Sequence, residues 1–117
     1  MRRGRWAGLA LLLCAAGHAA SDTSAEVAQL LSQLASSGCE FQRNGEWHDG
    51  PAARAHLERK YAYLLKKNLV ASTEDFIERG ASRSSASGQP YQVRCGAETS
   101  ASGAWLRAAL ARLRARR

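Results

Sequence analysis

Residues that commonly hold metals are scarce in this chain of 117 residues. It contains three cysteines and three histidines, and the histidines are scattered along the sequence. A structural zinc site needs four cysteine or histidine ligands at short, regular spacings. We therefore predict no metal site, and no motif in the sequence indicates a cofactor.

Long hydrophobic runs are also missing after the first twenty residues. The apolar stretch at residues 9–16 is short, and no later stretch approaches the roughly 18 apolar residues that a membrane-spanning helix requires. Internal repeats are absent as well. We expect the mature protein to be soluble, with no transmembrane segment.

The N-terminus has the pattern of a secretory signal peptide. Three arginines lie within the first five residues, the apolar stretch 9–16 follows, and small residues come next. Cleavage is expected after Ala19 or Ala20. Cys14 ends the apolar run, but Leu13 stands where lipidation requires a small residue. Residues 1–20 are therefore predicted to be a cleaved signal, and the mature protein to be periplasmic, with secretion beyond the envelope left open.

Removal of residues 1–20 changes the charge of the chain. The net charge of +7 falls to +4, because the signal takes three of the 17 basic residues and none of the ten acidic ones. Five of the remaining basic residues lie after Glu98. A nucleic-acid-binding protein usually spreads its positive charge over one face, so we predict no nucleic-acid partner. Residues 21–117 are long enough for a single domain.

The mature chain retains two cysteines, Cys39 and Cys95. Disulfides persist in oxidising compartments, so export favours a bridge between these two residues. Closing a loop of this length stabilises a fold by about 4 kcal/mol if the crosslink acts through chain entropy. The alternative is a pair of buried free thiols.

Four helices are predicted from capping residues followed by apolar residues at helical spacing. Their expected starts are Thr23, with Glu26 completing a capping box, Asp49, Ser72, and Ser100 or Ser102. The last helix, within residues 103–117, is rich in arginine. Residues 82–91 are small and polar, with one glycine and one proline, which is typical of a loop.

Short strands are predicted on both sides of Asn44-Gly45, because both residues tolerate the positive φ angles of a tight hairpin. Residues 91–95 alternate apolar and polar side chains and indicate a further short strand. We predict a mostly α fold with a small two-stranded β element, an α+β class with about four helices and one disulfide.

Five blocks of sequence resemble, in order, the YfeK-like family of small exported proteins of Gram-negative bacteria, a family of unknown function. The blocks are Leu-Leu to Asn-Gly (30–45), Ala-x-x-His-Leu-x-x-Lys-Tyr (53–61), Asp-Phe-Ile (75–77), Ser-x-Ser-Ser-x-Ser-Gly-x-Pro-Tyr-x-Val-x-Cys (82–95) and Trp-Leu (105–106). Trp47-His48 departs from the family pattern, where an aromatic residue such as Tyr is expected. The resemblance covers nearly all of the mature chain. It implies an envelope location and a helical fold with one disulfide, and it supplies no activity.

A candidate binding surface combines the Asn44-Gly45 turn, one edge of the second helix and the loop at 82–91. The candidate residues are Arg43, Asn44, His56, Lys60, Ser82, Ser84, Ser85, Ser87, Gly88 and Tyr91. A Cys39–Cys95 bridge brings the turn and the loop near each other, and converging polar groups are typical of ligand sites. We predict a non-enzymatic, monomeric protein that binds an anionic ligand or an envelope protein.

Two alternative functions are compatible with the sequence. The serine-rich loop, His56 and Asp75 contain the residue types of a hydrolytic triad, although no nucleophile-elbow pattern surrounds Ser84 or Ser85. The serine hydroxyls could equally bond to the backbone of their own loop. The arginine-rich last helix could instead attach the protein to an anionic membrane surface.

Overall fold

The computed structural model describes residues 18–117, with side chains described from Asp22 onward. Residues 1–17 of the predicted signal peptide lie outside the described residues, and cleavage after Ala19 or Ala20 stays a prediction. The elements are α1 (His18–Ser36), β1 (Glu40–Arg43), β2 (Glu46–His48), α2 (Gly50–Lys66), α3 (Thr73–Gly80), β3 (Gln92–Cys95), β4 (Glu98–Ala101) and α4 (Ser102–Ala115).

The first helix begins earlier than its capping pattern indicated. Because α1 starts at His18, Thr23 lies inside the helix, and the predicted N-cap at Thr23 is wrong. Glu26 does not complete a capping box; its carboxylate accepts hydrogen bonds from Thr73 and Arg114. The apolar face of α1 is buried as its spacing predicts, through Val27, Leu30, Leu31 and Leu34.

The sheet has four antiparallel strands in the order β2-β1-β3-β4, so the predicted two-stranded element is too small. The sequence pattern missed β4 because every residue of Glu98–Ala101 is exposed, which removes the apolar alternation that marks a half-buried strand. Gly96, with a φ of 64°, begins the two-residue turn between β3 and β4.

The start of the last helix also differs from its prediction. Ala101 occupies the N-cap of α4 and makes no side-chain capping bond. Ser100 belongs to β4, and Ser102 is the first helical residue. The Ser102 side chain is buried, and its N–H donates to the carbonyl oxygen of Tyr91 at 2.9 Å. The predicted caps at Asp49 and Ser72 are confirmed, since each side chain accepts from a backbone N–H three residues later.

The turn at Asn44-Gly45 has the conformation that its sequence predicts. Both residues have positive φ angles, 51° and 85°, as a two-residue hairpin turn of the primed type requires. The turn fixes the register of β1 against β2, which pairs Phe41 with His48. Arg43 is thereby placed at the end of β1, beside the turn.

Helices α2 and α4 pack against the sheet, and α1 and α3 pack against other helices. Phe41 of β1 contacts Trp105 of α4 edge to face, with ring centroids 5.8 Å apart. Tyr61 of α2 makes a similar contact with Phe76 of α3 at 5.2 Å. Gly50 allows α2 to begin against α1, because a Cβ at this position would lie 2.6 Å from the carbonyl oxygen of Ala35.

The disulfide between Cys39 and Cys95 is confirmed, with Cα atoms 4.4 Å apart. It joins the residue before β1 to the last residue of β3, two strands that are neighbours in the sheet. Among residues 18–117, no helix combines the length and the hydrophobicity needed to cross a membrane.

Candidate functional site

An open groove of about 250 Å³ lies between the β1–β2 turn, α2 and the loop at 82–91. Its lining consists of Arg43, Asn44, His56, Lys60, Ser84, Ser85, Ala86 and Tyr91. All of these except Ala86 belong to the predicted set. The structure thus brings together seven predicted side chains that three separate segments of the chain supply.

The other three predicted residues support the groove without lining it. Ser82 donates a hydrogen bond to the carbonyl oxygen of Ile77 at 2.7 Å, away from the groove. Ser87 donates to Oδ1 of Asn44 at 2.7 Å and so joins the loop to the hairpin turn. Gly88 has a φ of 74° and closes the loop with its N–H on the carbonyl oxygen of Ser84.

Four side chains on the groove wall form a continuous hydrogen-bond network. Arg43 Nη1 lies 3.2 Å from His56 Nδ1, and His56 Nε2 lies 3.1 Å from the Tyr91 hydroxyl. Lys60 Nζ donates to the same hydroxyl at 3.0 Å and to the carbonyl oxygen of Arg83 at 3.1 Å. An arginine can only donate, so Nδ1 of His56 is the acceptor and the imidazole is neutral with its proton on Nε2.

Burial and positive neighbours shift the pKa values of this network. Burial, followed by the charges of Arg43 and Lys60, lowers the pKa of His56 to about 4. Burial and the charge of Arg43 also lower the pKa of Lys60. Burial raises the pKa of Tyr91, and Arg43 partly opposes that rise. Around neutral pH the groove therefore combines the basic side chains of Arg43 and Lys60 with a neutral imidazole and a neutral phenol.

The backbone of Tyr91 is held on both sides, which fixes its hydroxyl in the groove. Its N–H donates to the carbonyl oxygen of Ser82, and its own carbonyl accepts from Ser102, both at 2.9 Å. A bridge between Arg83 and Pro90 closes the base of the serine-rich loop. The first residue of α4 and the loop therefore position Tyr91 together.

A second, smaller cavity of about 30 Å³ lies behind the network and shares Arg43, His56 and Tyr91 as walls. Apolar side chains such as Phe41 and Leu57 form much of the remainder. His48 also lines it, and its Nε2 is buried without a hydrogen-bond partner among the described residues. Sequence reasoning missed His48 as a wall residue, although the hairpin register places it opposite Phe41.

The groups considered for a hydrolytic triad are not assembled as one. His56 contacts Arg43 and Tyr91, and within residues 22–117 no carboxylate is hydrogen-bonded to its ring. The Ser84 hydroxyl oxygen accepts from the N–H groups of Ala86 and Ser87, both at 3.2 Å. Asp75 accepts from the backbone of Ala71 instead of orienting a histidine.

Several arginines of the last helix are engaged within the fold. Arg114 forms a bidentate ion pair with the buried carboxylate of Glu26, and both N···O distances are 2.9 Å. Arg117, just beyond the helix, contacts the same carboxylate, and Arg107 pairs with Glu78 at 2.8 Å. The apolar face of α4 is buried, including Leu106, Ala109, Leu110 and Leu113.

Within the described part of the chain, no cluster of three or more His, Cys, Asp or Glu side chains is arranged to hold a metal ion.

Residues 21–114 match a family described as "Family of unknown function (DUF5329)". The chain belongs to this family. Neither a curated protein nor a solved structure gives a significant match to the chain. The DUF5329 match spans the hairpin, α2 and the serine-rich loop, so the whole groove lies inside the family's domain.

Proposed function

We propose that this DUF5329 protein is a non-enzymatic binding protein of the bacterial envelope, and that its groove binds an anionic ligand. One observation carries the proposal: Arg43 and Lys60 both line the groove, and none of its described lining residues has a carboxylate. Several other cations of the fold, such as Arg114, have an acidic partner. A bound anion would supply the missing countercharge.

The shifted pKa values agree with this interpretation. The pKa values of His56 and Lys60 are both lowered, because burial and neighbouring positive charge disfavour their protonated forms. Such perturbed groups in a cleft are typical of functional sites. An anion in the groove would relieve the repulsion between Arg43 and Lys60.

A binding role fits the contacts better than a hydrolytic one. A serine nucleophile needs a histidine base within reach and a group that orients the base. Here Arg43 donates to the nitrogen of His56 that would have to accept the proton, and Ser84 caps its own loop. The membrane-attachment alternative would need an exposed apolar face on α4, and that face packs in the core.

The envelope location is part of the proposal. Its support is the N-terminal signal pattern, the resemblance to the YfeK-like family and the disulfide, which suits an oxidising compartment. Cell fractionation of the tagged protein, with and without residues 1–20, tests it. Recovery of both forms in the cytoplasm would contradict it.

Titration of the purified, disulfide-bonded protein with small anions tests the binding role. We expect chloride, acetate, sulfate and phosphate to differ in affinity, and the best of them to shift the NMR signals of groove residues at low ionic strength. The Arg43→Gln/Lys60→Gln variant should bind that anion about a hundredfold more weakly, because it loses two charged contacts and each contributes roughly 1.4 kcal/mol.

Arg54→Gln is the matched control for this experiment. Arg54 lies on the same helix as Lys60 but pairs with Glu58 at 3.0 Å and is not part of the groove lining. Its removal should leave the affinity unchanged. Equal losses in Arg54→Gln and in the groove variant would indicate nonspecific charge attraction, and the absence of any anion-dependent shift would contradict the proposal.

A further inference from the structure

The hydrogen-bonding groups of the groove are unevenly used. Tyr91 is the clearest case, because its hydroxyl oxygen already accepts from Lys60 Nζ at 3.0 Å and from the protonated Nε2 of His56 at 3.1 Å. A phenolic oxygen has no more than two acceptor positions. Its own hydrogen therefore remains as a donor, with no acceptor among the described residues.

Asn44 has the same property. Its Oδ1 accepts from the Ser87 hydroxyl at 2.7 Å, which leaves the two hydrogens of Nδ2 to donate. Ser84 repeats the pattern, since its oxygen accepts two backbone N–H groups and its hydroxyl hydrogen is left over. In both residues the acceptor is used within the protein and the donor is not.

The two cations add donors and no acceptors. Arg43 uses one N–H on His56 and retains the others. Lys60 uses two of its three N–H groups, on Tyr91 and on the carbonyl oxygen of Arg83. Open donors therefore come from at least five side chains around one groove, together with two positive charges.

A carboxylate has two oxygens and one negative charge, so it would leave some of the open hydrogen-bond donors in the groove without an acceptor. A phosphoryl group on a monoester has three terminal oxygens and a charge of about −1.5 to −2 near neutral pH, which matches the two cations and the open donors better. The groove, at about 250 Å³, is smaller than a typical drug-sized pocket and is open on one side. It suits a compact anionic head whose remainder projects into solvent.

We propose that the groove binds the terminal phosphoryl group of a phosphate monoester through Arg43, Lys60 and the donor hydrogens of Tyr91, Asn44 and Ser84. This inference rests on the proposed anion-binding function. The same chemistry is present in a soluble phosphate monoester and in a lipid with a monoester phosphate head. A comparison of soluble and vesicle-bound ligands distinguishes these two sources.

Asn44→Asp is the sharpest variant for testing this inference. It keeps the size of the side chain and an oxygen that can accept from Ser87, and aspartate tolerates the positive φ of position 44. It replaces two donor hydrogens with a negatively charged oxygen that repels a phosphoryl group. Asn68→Asp is the matched control, because Asn68 also has a positive φ, 58°, and lies outside the groove lining.

The ligands to compare are phenyl phosphate, inorganic phosphate and acetate at equal ionic strength, by calorimetry and NMR. Vesicles of phosphatidylcholine with phosphatidic acid test the lipid source, with vesicles of phosphatidylcholine and phosphatidylserine as the control. We expect phenyl phosphate or phosphatidic acid to bind at least about tenfold more tightly than acetate or phosphatidylserine. Asn44→Asp should lose about tenfold in that affinity, and Asn68→Asp should lose less than about twofold.

Preference for phenyl phosphate would identify a soluble monoester, and preference for phosphatidic acid vesicles would identify a lipid head; either supports the inference. Acetate binding as tightly as phenyl phosphate, with both lost in Arg43→Gln/Lys60→Gln, would overturn the phosphoryl assignment and leave the anion-binding function standing. Absence of binding by every anion would overturn both. Equal losses in Asn44→Asp and Asn68→Asp would place the ligand outside the groove and also overturn the inference.

Discussion

Lys60 of α2 and Tyr91, next to β3, are 31 positions apart in the chain, yet the Lys60 ammonium donates to the Tyr91 hydroxyl at 3.0 Å. The contact joins the helix to the sheet across the groove. Because His56 donates to the same oxygen, one hydroxyl holds two side chains of α2 against the start of β3. A substitution that removes only that oxygen is therefore the smallest change that disrupts the network.

Tyr91→Phe should lower both stability and anion affinity. The loss of a hydroxyl that accepts from a charged donor is expected to decrease the free energy of unfolding by about 1–2 kcal/mol. Chemical denaturation and anion titration measure the two effects. Tyr63→Phe is the control, since Tyr63 is on α2 with Lys60 but is 59% exposed and does not line the groove. If Tyr91→Phe changed stability and anion affinity no more than Tyr63→Phe does, the Tyr91 hydroxyl would contribute to neither.

The lowered pKa of His56 predicts a pH dependence of stability. Its pKa is about 4 in the folded protein and 6.5 for a solvated histidine, so between these values the unfolded chain binds the extra proton. Stability therefore falls as the pH decreases from 6.5 to 4, and His56 has no such effect well above its unfolded pKa. His56→Gln should remove this part of the pH dependence, whereas His48→Gln should retain it. A His56 imidazole signal that titrates near 6.5 by NMR would contradict this prediction.

The lowered pKa of Glu26 predicts a second loss of stability, at lower pH than the one assigned to His56. Hydrogen bonds from Arg114 lower its pKa from 4.5 to about 2, despite burial, so its contribution is complete above pH 4.5 and is lost as the pH falls towards 2. Glu26→Gln removes the buried carboxylate but leaves Arg114 paired with Glu74 and partly exposed to solvent, so the free energy of unfolding near neutral pH should decrease by about 1–2 kcal/mol.

Denaturant unfolding at several pH values checks the Glu26 prediction. The difference in the free energy of unfolding between wild type and Glu26→Gln should become smaller as the pH falls from 4.5 to 2. Glu98→Gln, at an exposed position of the edge strand β4, should stay close to wild type throughout. A difference in the free energy of unfolding that does not change with pH would mean that folding does not lower the pKa of Glu26.

The disulfide predicts a large loss of stability on its removal. Cys39 and Cys95 are separated by 56 positions, and the entropy of loop closure assigns such a crosslink about 4 kcal/mol. The double variant Cys39→Ser/Cys95→Ser should lose this amount in denaturant unfolding. Reduced wild-type protein is the matched control and should unfold at a similar denaturant concentration. The prediction would be contradicted if the double variant and the reduced protein both had the same unfolding midpoint as the oxidised wild-type protein.

Local sequence signals were sufficient for much of the fold. The Asn44-Gly45 turn, the caps at Asp49 and Ser72, and the apolar face of α1 depend on neighbouring residues, and the structure confirms all of them. The edge strand β4 was missed because its exposed residues lack an alternating pattern. Glu26 matched a capping box by residue type, but a local pattern does not exclude a longer helix or a distant partner such as Arg114.

The candidate site was only partly predictable. Arg43 was selected by its distance from Cys39 in the chain and His56 by its position on one edge of the second helix, and the groove contains both. His48 was missed because its position behind the network depends on the register of the hairpin and on the packing of α2.

By itself the sequence determined the apolar faces of the helices, the tight turn and the residues available for one disulfide, because each depends on neighbouring or few residues. Only the tertiary structure decided which hydrogen-bond acceptors are used within the protein and which donors remain. Lys60, His56 and Tyr91 meet because α2 packs beside the start of β3, and Ser87 reaches Asn44 because the loop folds over the hairpin. The chemistry of the groove is thus set by contacts between segments that are far apart in the chain.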